Sequence, residues 1–305
     1  MANAVFIQNP DSIYRDRPGE AYNFPAQYLG MVEETLGDWV VFYEGKKGRF
    51  GYVAVQRVAA ITGDPERDGW YFAHLDRASL LQFESLVARV DTAGRVYEER
   101  LGGPDGRPFS GGLNTSAVRR LTPQEFARIV NAGLTEIVDE DALPRQVKPQ
   151  FDDEQVPFHP APLARDRVRL LTERPYRDAA FQRMVKRAYG GRCAISGLSL
   201  RNGGGRAEVQ AAHIRPVRDK GPDIVQNGLA LSGTLHWMFD RGLISVAEDM
   251  SILVSHNKVP GEVVGRLIHP RQRLLLPRDR RDQPHPDYLR YHRENVFGRG
   301  PPMTG

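Results

Sequence analysis

Residues 211–242 of the chain read AAHIRPVRDKGPDIVQNGLALSGTLHWMFDRG. A short apolar segment ends at His213, a loop leads to Asn227, and residues 229–239 have helical spacing. A hairpin is predicted after them, at residues 243–255. His236 and Asp240 are four residues apart on the predicted helix, so their side chains lie on one face of it. The sequence therefore predicts a compact β-β-α unit with these polar residues at its corners.

The residue types at these corners suit one kind of chemistry. An imidazole and a carboxylate on one helix face, as at His236 and Asp240, can bind a single divalent cation. A neutral imidazole across from them, His213, can take a proton from water. A metal ion stabilises the charge that develops on phosphate oxygens and on a leaving alkoxide. Phosphodiester hydrolysis requires this combination.

Three motifs in this region, Ala211–Pro216, Asn227–Leu231 and Leu235–Gly242, resemble those of the HNH endonucleases. The resemblance covers about residues 176–255 and preserves the order and spacing of the three signature residues. It implies a ββα-metal fold. It also implies roles: His213 as general base, Asn227 as the residue that braces the loop and orients the base, and His236 with Asp240 as metal ligands.

The sequence departs from the pattern of that family in two respects. Many members place an Asp or His ligand just before the base, where this chain has Ala212. We therefore expect one Mg²⁺ or Mn²⁺ per site, held by few protein ligands, because Mg²⁺ retains waters and binds substrate phosphate. Paired cysteines are missing as well, so no structural zinc is expected, and Cys193 is predicted to be a small buried side chain.

Composition and charge limit the classes of protein that fit the chain. It has 305 residues, of which 40% are hydrophobic and 26% charged, enough for two domains with real cores. Residues 1–160 hold 17 Lys and Arg against 24 Asp and Glu, whereas residues 161–305 hold 25 against 14. The basic C-terminal half indicates a polyanionic partner. One cysteine excludes an internal disulfide, and no apolar stretch predicts a membrane helix, so we expect a cytoplasmic protein.

The N-terminal half has the pattern of a mostly β domain. Strands are predicted at residues 4–8, 38–43 and 50–61, with shorter strand-like pieces at 69–72 and 95–101. Thr122-Pro123-Gln124-Glu125 forms a capping box that begins a helix. Proline and acidic residues then predict a linker. The predicted fold class is α+β, with an N-terminal domain at 1–137, a linker at 138–163 and the nuclease domain at 164–305.

Residues 4–133 resemble the PUA superfamily, the group that contains SRA, YTH and EVE domains. The resemblance implies a β barrel that accepts a flipped modified base in an aromatic pocket, whose walls need stacking faces and hydrogen-bonding groups. The alternative is that the aromatic side chains fill the core of the domain. The candidate pocket residues are Asp16, Tyr22, Asn23, Phe24, Trp39 and Tyr43.

A PUA-like reader joined to an HNH nuclease resembles the modification-dependent restriction endonucleases of bacteria. The resemblance implies double-stranded DNA with 5-methylcytosine or 5-hydroxymethylcytosine as the partner. Because one HNH centre cuts one strand, we expect a homodimer. Contacts to DNA phosphates are predicted for the basic residues Arg215, Arg218, Arg241, Lys46, Lys47 and Arg49.

Two other functions remain open on the sequence. One is an HNH nuclease whose first domain reads unmodified sequence or RNA. The other is a non-cleaving protein that binds modified DNA and in which Ala212 marks a degenerate nuclease site. The arginine-rich tail at residues 266–299 either contacts phosphates or packs a helix on the nuclease core. The remaining histidines are predicted to be surface residues without a role in the site.

Overall fold

Residues 2–8, 14–45, 48–109, 116–134, 168, 170–203 and 205–298 are described in a computed structural model of the chain. They divide into two compact units, Met1–Ala180 and Phe181–Gly305. The predicted linker at 138–163 lies outside the described residues. No helix within these ranges combines the length and apolar character that crossing a bilayer requires.

The first unit contains a seven-stranded sheet. The strands are β1 (Asn3–Gln8), β2 (Ala21–Pro25), β3 (Trp39–Glu44), β4 (Gly51–Gly63), β5 (Trp70–Leu75), β6 (Leu81–Val87) and β7 (Val118–Leu121). They run in the order β2-β5-β4-β3-β1-β7, and β6 also pairs with β4. β1 and β3 are parallel, and the other pairs are antiparallel.

Among the described residues the sheet of the first unit does not close into a barrel, so the barrel part of the predicted fold is not confirmed. β2 and β7 stand at the two ends of the strand order, and no pairing joins them in the described part of the chain. β4 takes part in three of the strand pairings, with β3, β5 and β6. Its first half pairs with β3, its second half pairs with β5, and the register with β5 shifts between Val58 and Ala60. Such a shift bends a strand and strengthens its twist.

Most of the local predictions for the first unit are confirmed. The strands predicted at 4–8, 38–43, 50–61 and 69–72 correspond to β1, β3, β4 and β5. Two helices accompany the sheet, α1 (Leu29–Glu33) and α2 (Pro123–Gly133), and α2 begins at the predicted capping box. The strand predicted at 95–101 is wrong. Val96 makes an isolated bridge to Val90, and Glu99–Leu101 is a 3-10 turn.

The second unit has the predicted β-β-α arrangement. β8 (Gln210–His213) pairs antiparallel with β9 (Gly228–Leu231), and α4 (Gly233–Asp240) follows directly. A hairpin of β10 (Ile244–Val246) and β11 (Ile252–Val254) continues the chain, as predicted for residues 243–255. The other helices are α3 (Arg174–Ala188), which begins before the boundary between the units, α5 (Gly261–Leu267) and α6 (Pro286–Asn295).

The start of the predicted helix at residues 229–239 is wrong. Leu229, Ala230 and Leu231 are all buried and form strand β9, and the helix begins only after Ser232. A continuous apolar run of this kind fits a buried strand as well as one turn of a helix, so periodicity does not separate the two. The correction places Asn227 at the entrance to a strand.

The core of the second unit is one apolar cluster to which α3, the four strands β8 to β11, α4 and α6 contribute. Cys193 lies in it with no exposed area, as predicted. Its sulfur accepts hydrogen bonds from the backbone N–H groups of Ser196 and Ser232, both at 3.4 Å. A single thiol therefore joins the turn at residues 193–197 to the residue before α4.

The placement of His292 corrects the prediction that it is a surface residue. Its side chain is 1% exposed, and its ring stacks on Phe239 with the centroids 3.7 Å apart. Nδ1 lies 2.8 Å from Oγ of Ser245, and Nε2 lies 3.1 Å from the carbonyl oxygen of Phe239. Helix α6 is therefore anchored to the core by an imidazole.

Candidate active site

His213 occupies the last position of β8, opposite Gly228 on β9. Its ring stacks on Phe181 with centroids 3.8 Å apart and an interplanar angle of 14°. Nε2 lies 3.0 Å from Oδ1 of Asp223, and the imidazole is 16% exposed. One ring face and one ring nitrogen are thus occupied by protein, which leaves a small accessible part of the imidazole for a substrate or a water.

Asn227 is fully buried and holds the loop between β8 and β9. Its Oδ1 accepts the backbone N–H of Arg215 at 2.9 Å. Its Nδ2 donates to the carbonyl oxygens of Arg215 at 3.1 Å and Pro222 at 3.0 Å. These are the contacts that a loop-bracing residue needs, and an effect of Asn227 on His213 stays a prediction.

His236 and Asp240 lie side by side on α4, as their spacing predicts. Nε2 of His236 is 3.3 Å from Oδ2 of Asp240, and the two side chains are 23% and 55% exposed. Nδ1 of His236 lies 2.9 Å from Oε1 of Gln210 on β8. An amide oxygen can only accept, so this contact directs the Nδ1 proton towards Gln210 and leaves Nε2 as the nitrogen that faces the carboxylate of Asp240.

This pair is the part of the site that could hold a metal ion. Within the described ranges, no group of three or more His, Cys, Asp or Glu side chains is arranged to bind one. An imidazole nitrogen with a lone pair and an accessible carboxylate oxygen nevertheless fit a divalent cation that keeps several waters and completes its shell with phosphate oxygens. The donor set is therefore compatible with Mg²⁺ or Mn²⁺.

The predicted phosphate-binding arginines differ in how firmly they are held. The Nε of Arg215 donates to the carbonyl oxygen of Asp219 at 2.7 Å, and its guanidinium lies 4.6 Å from the ring centroid of Tyr291 on α6. Arg218 is 76% exposed beside Asp219. Arg241 is exposed at the C-terminal end of α4.

The basic residues of the β3–β4 hairpin belong to the first unit. Arg49 is half-buried, and its backbone N–H donates to Oε2 of Glu44 at 2.6 Å. Lys46 and Lys47 lie outside the described residues. The contribution of this hairpin to phosphate binding stays a prediction.

Five of the six candidate pocket residues of the first unit are interior residues: Tyr22, Asn23, Phe24, Trp39 and Tyr43. Tyr22, for example, donates its hydroxyl to the carbonyl oxygen of Ala117 at 2.8 Å. Asp16 is the sixth and is half-buried, with Oδ1 accepting the backbone N–H of Asn23 at 2.8 Å. Burial raises the pKa of Asp16 to about 7.

Several residues that shape the site were missed in the sequence. Asp223 contacts His213 from the loop, Gln210 contacts His236 from β8, and Phe181 stacks on His213 from α3. Asp223 and Gln210 could have been sought as polar residues near the motif. Nothing local distinguishes Phe181 from an ordinary core residue, because its partner is 32 positions away.

Comparison with known proteins assigns the β-β-α region. Residues 193–247 match the family model described as HNH endonuclease. The second unit contains an HNH endonuclease domain. HNH endonucleases cleave nucleic acid and typically use a divalent metal. The matched segment includes His213, Asn227, His236 and Asp240.

Two solved structures are similar to the chain at low identity. One is described as the modification-dependent TagI restriction endonuclease, with 16% identity, a TM-score of 0.33, and coverage of 96% of this chain and 81% of that chain. The other is the crystal structure of protein Atu2648 from Agrobacterium tumefaciens, with 15% identity, a TM-score of 0.27, and coverage of 44% and 93%. No curated protein matches the sequence significantly.

Proposed function

We propose that the chain is a divalent-metal-dependent endonuclease that cuts double-stranded DNA containing modified cytosine, either 5-hydroxymethylcytosine or 5-methylcytosine. The observation that carries the nuclease part is the geometry of His213. It lies at the end of β8 inside the HNH segment, held by stacking and by a carboxylate contact, with an accessible fraction of its ring.

In the proposed reaction, His213 takes a proton from the water that attacks the scissile phosphorus. Asn227 holds the loop next to the base, through its three hydrogen bonds to loop backbone. His236 and Asp240 would hold the metal ion, which when bound stabilises the charge on the phosphate and on the leaving oxygen. Arg215, Arg218 and Arg241 contact the phosphates that flank the scissile bond.

The first unit reads the modified base in this proposal. Asp16 supplies a hydrogen-bonding group, and Tyr14 and Tyr28 supply half-buried aromatic rings around it. Burial is the main cause that raises the pKa of Tyr14 and of Tyr22, and the charge of Asp16 raises both further. A carboxyl group among aromatic rings has the chemistry that an extruded base needs. A homodimer would bring two nuclease centres to the two strands.

The test is cleavage of one plasmid sequence prepared with cytosine, 5-methylcytosine or 5-hydroxymethylcytosine, in Mg²⁺ and in EDTA. His213→Ala is assayed alongside, and His256→Ala serves as the matched control because His256 is an exposed histidine of the same unit. We expect cutting only of modified plasmid in Mg²⁺, loss of cutting by at least about 100-fold in His213→Ala, and wild-type cutting in His256→Ala.

The other outcomes separate the rival functions. Equal cutting of all three plasmids would keep the nuclease and discard the modified-base reader. Binding of modified DNA without cutting under any metal condition would indicate a degenerate site with Ala212 as its cause. Wild-type cutting by His213→Ala would overturn the assigned base.

A further inference from the structure

Asp223 is a buried acidic residue in the loop between β8 and β9. Its side chain has no exposed area, and its Oδ1 lies 3.0 Å from Nε2 of His213. A buried carboxylate is costly unless it is paired and hydrogen-bonded. Its contact with an imidazole therefore constrains that imidazole strongly.

The contact selects one tautomer of His213. A carboxylate is an acceptor only, so the ring nitrogen facing it carries the proton. Nε2 of His213 is then protonated, and Nδ1 keeps the lone pair. Phe181 fixes the plane of the ring by stacking, and Asp223 fixes its rotation within that plane.

Asn227 supports Asp223 through the backbone. Its Nδ2 donates to the carbonyl oxygen of Pro222, the residue just before Asp223, at 3.0 Å. The same side chain bonds both backbone groups of Arg215, so it fixes the loop close to both of its ends. Asn227 therefore acts on His213 indirectly. It holds the backbone next to Asp223, and the carboxylate of Asp223 contacts the imidazole.

We propose that Asp223 is a positioning residue that holds His213 with its proton on Nε2, so that Nδ1 is the atom that takes the proton from water. The inference rests on the proposed nuclease function. It assigns to Asp223 a role outside the three signature positions. It also gives the buried carboxylate of Asp223 a function beside the imidazole that it contacts.

The first test is kinetic and uses the full-length chain with modified plasmid in Mg²⁺. In Asp223→Asn the amide can also donate to Nε2, which favours the wrong tautomer. We expect kcat to fall about 100-fold and KM for the plasmid to stay within about twofold. Asp223→Glu keeps the carboxylate and should recover part of the loss. Asp249→Asn is the control, because Asp249 is an exposed acid of the same unit.

The second test measures the tautomer directly. The ¹⁵N shifts of the His213 ring in the wild-type chain, assigned by their disappearance in His213→Gln, should show a protonated Nε2. A mixture of tautomers is expected in Asp223→Asn. This measurement on the wild-type chain does not depend on whether an Asp223 variant folds.

The outcomes distinguish this inference from the function on which it rests. A wild-type ring protonated on Nδ1 would overturn the role of Asp223, and so would a wild-type kcat in folded Asp223→Asn while His213→Ala is inactive. Wild-type cutting by His213→Ala would instead overturn the proposed base itself.

Discussion

The carboxyl group of Asp16 is half-buried next to strand β2, where it accepts the backbone N–H of Asn23. Because burial raises its pKa to about 7, the folded chain favours the protonated form, whereas an unfolded chain ionises the group near pH 4. The stability associated with this group is complete below pH 4 and is lost as the pH rises towards 7. Ionised Asp16 therefore strains the first unit under mildly basic conditions.

Replacing Asp16 by Asn should relieve this strain, since the amide oxygen can still accept the N–H of Asn23. We expect Asp16→Asn to stabilise the first unit by about 2–4 kcal/mol at pH 8 and by little at pH 4. Calorimetric unfolding at the two pH values checks this. Asp68→Asn, at an exposed acid of the same unit, is the control. An equal effect of Asp16→Asn at both pH values would argue against the burial of the carboxylate.

His292 titrates in the opposite sense. Burial lowers its pKa to about 4, so the folded chain keeps it neutral while an unfolded histidine charges near pH 6.5. The stability from this residue is complete above pH 6.5 and is lost as the pH falls towards 4, by about 3 kcal/mol in all.

The consequence can be measured on helix α6. Hydrogen-exchange protection of residues 286–295 should fall between pH 7 and pH 4.5 in the wild-type chain. His292→Gln should begin with lower protection at pH 7 and lose less of it on acidification. His256→Gln, at an exposed histidine, should follow the wild type. If acid left the protection of α6 unchanged, the buried imidazole would not be the anchor of the helix.

At the scale of elements, β9 passes very close to α3. A Cβ atom on Gly228 would lie 2.4 Å from Cγ2 of Val185 and 3.0 Å from Cζ of Phe181. Neither neighbour can move freely, because Val185 is a core residue and Phe181 stacks on His213. The glycine thus sets the distance between α3 and β9, and with it the position of the Phe181 ring that stacks on His213.

Substitution of this glycine should cost both stability and activity. We expect Gly228→Ala to destabilise the second unit by about 1–3 kcal/mol and to lower kcat, since Phe181 must shift. Urea unfolding and cleavage of modified plasmid measure the two effects. Gly233→Ala is the matched control, because an added Cβ there has only Glu208 Oε1 within 4 Å, at 3.9 Å. Equal stability of the two variants would contradict the close packing.

The elements also show what local sequence could predict. The capping box of α2, the hairpin of β10 and β11, and the pairing of His236 with Asp240 depend on residues within a few positions of each other. The sequence of strand β9 fits a helix as well as a strand, because its apolar run is too short to show a period. The strand order of the sheet, the stack of Phe181 and the burial of His292 depend on distant partners, which periodicity and spacing do not report.

At the scale of the whole molecule, the two halves of the chain carry opposite net charge. Residues 161–305 have 25 basic against 14 acidic residues, so their attraction to DNA should depend on salt. Arg218 is a suitable residue for testing this salt dependence, because it is 76% exposed and lies on the loop that follows His213 in the sequence.

We expect Arg218→Gln to weaken binding of modified and unmodified duplexes alike. In a His213→Ala background, the slope of log affinity against log salt should become shallower by about one. Fluorescence anisotropy between 50 and 300 mM salt measures it. Arg95→Gln, at an exposed arginine of the first unit, should leave the slope unchanged. An unchanged slope in Arg218→Gln would place this arginine away from the DNA.

Because Cys193 is buried, the rate at which its thiol reacts with a reagent measures how often the second unit opens. The chain has a single thiol, and it lies in the core with backbone N–H groups directed at its sulfur. A reagent such as an aromatic disulfide can reach the thiol only when the turn at residues 193–197 separates from α4. The labelling rate therefore measures how often this local opening occurs. Any DNA or metal ion that stabilises the nuclease unit should lower the labelling rate of Cys193, and the measurement needs no engineered cysteine.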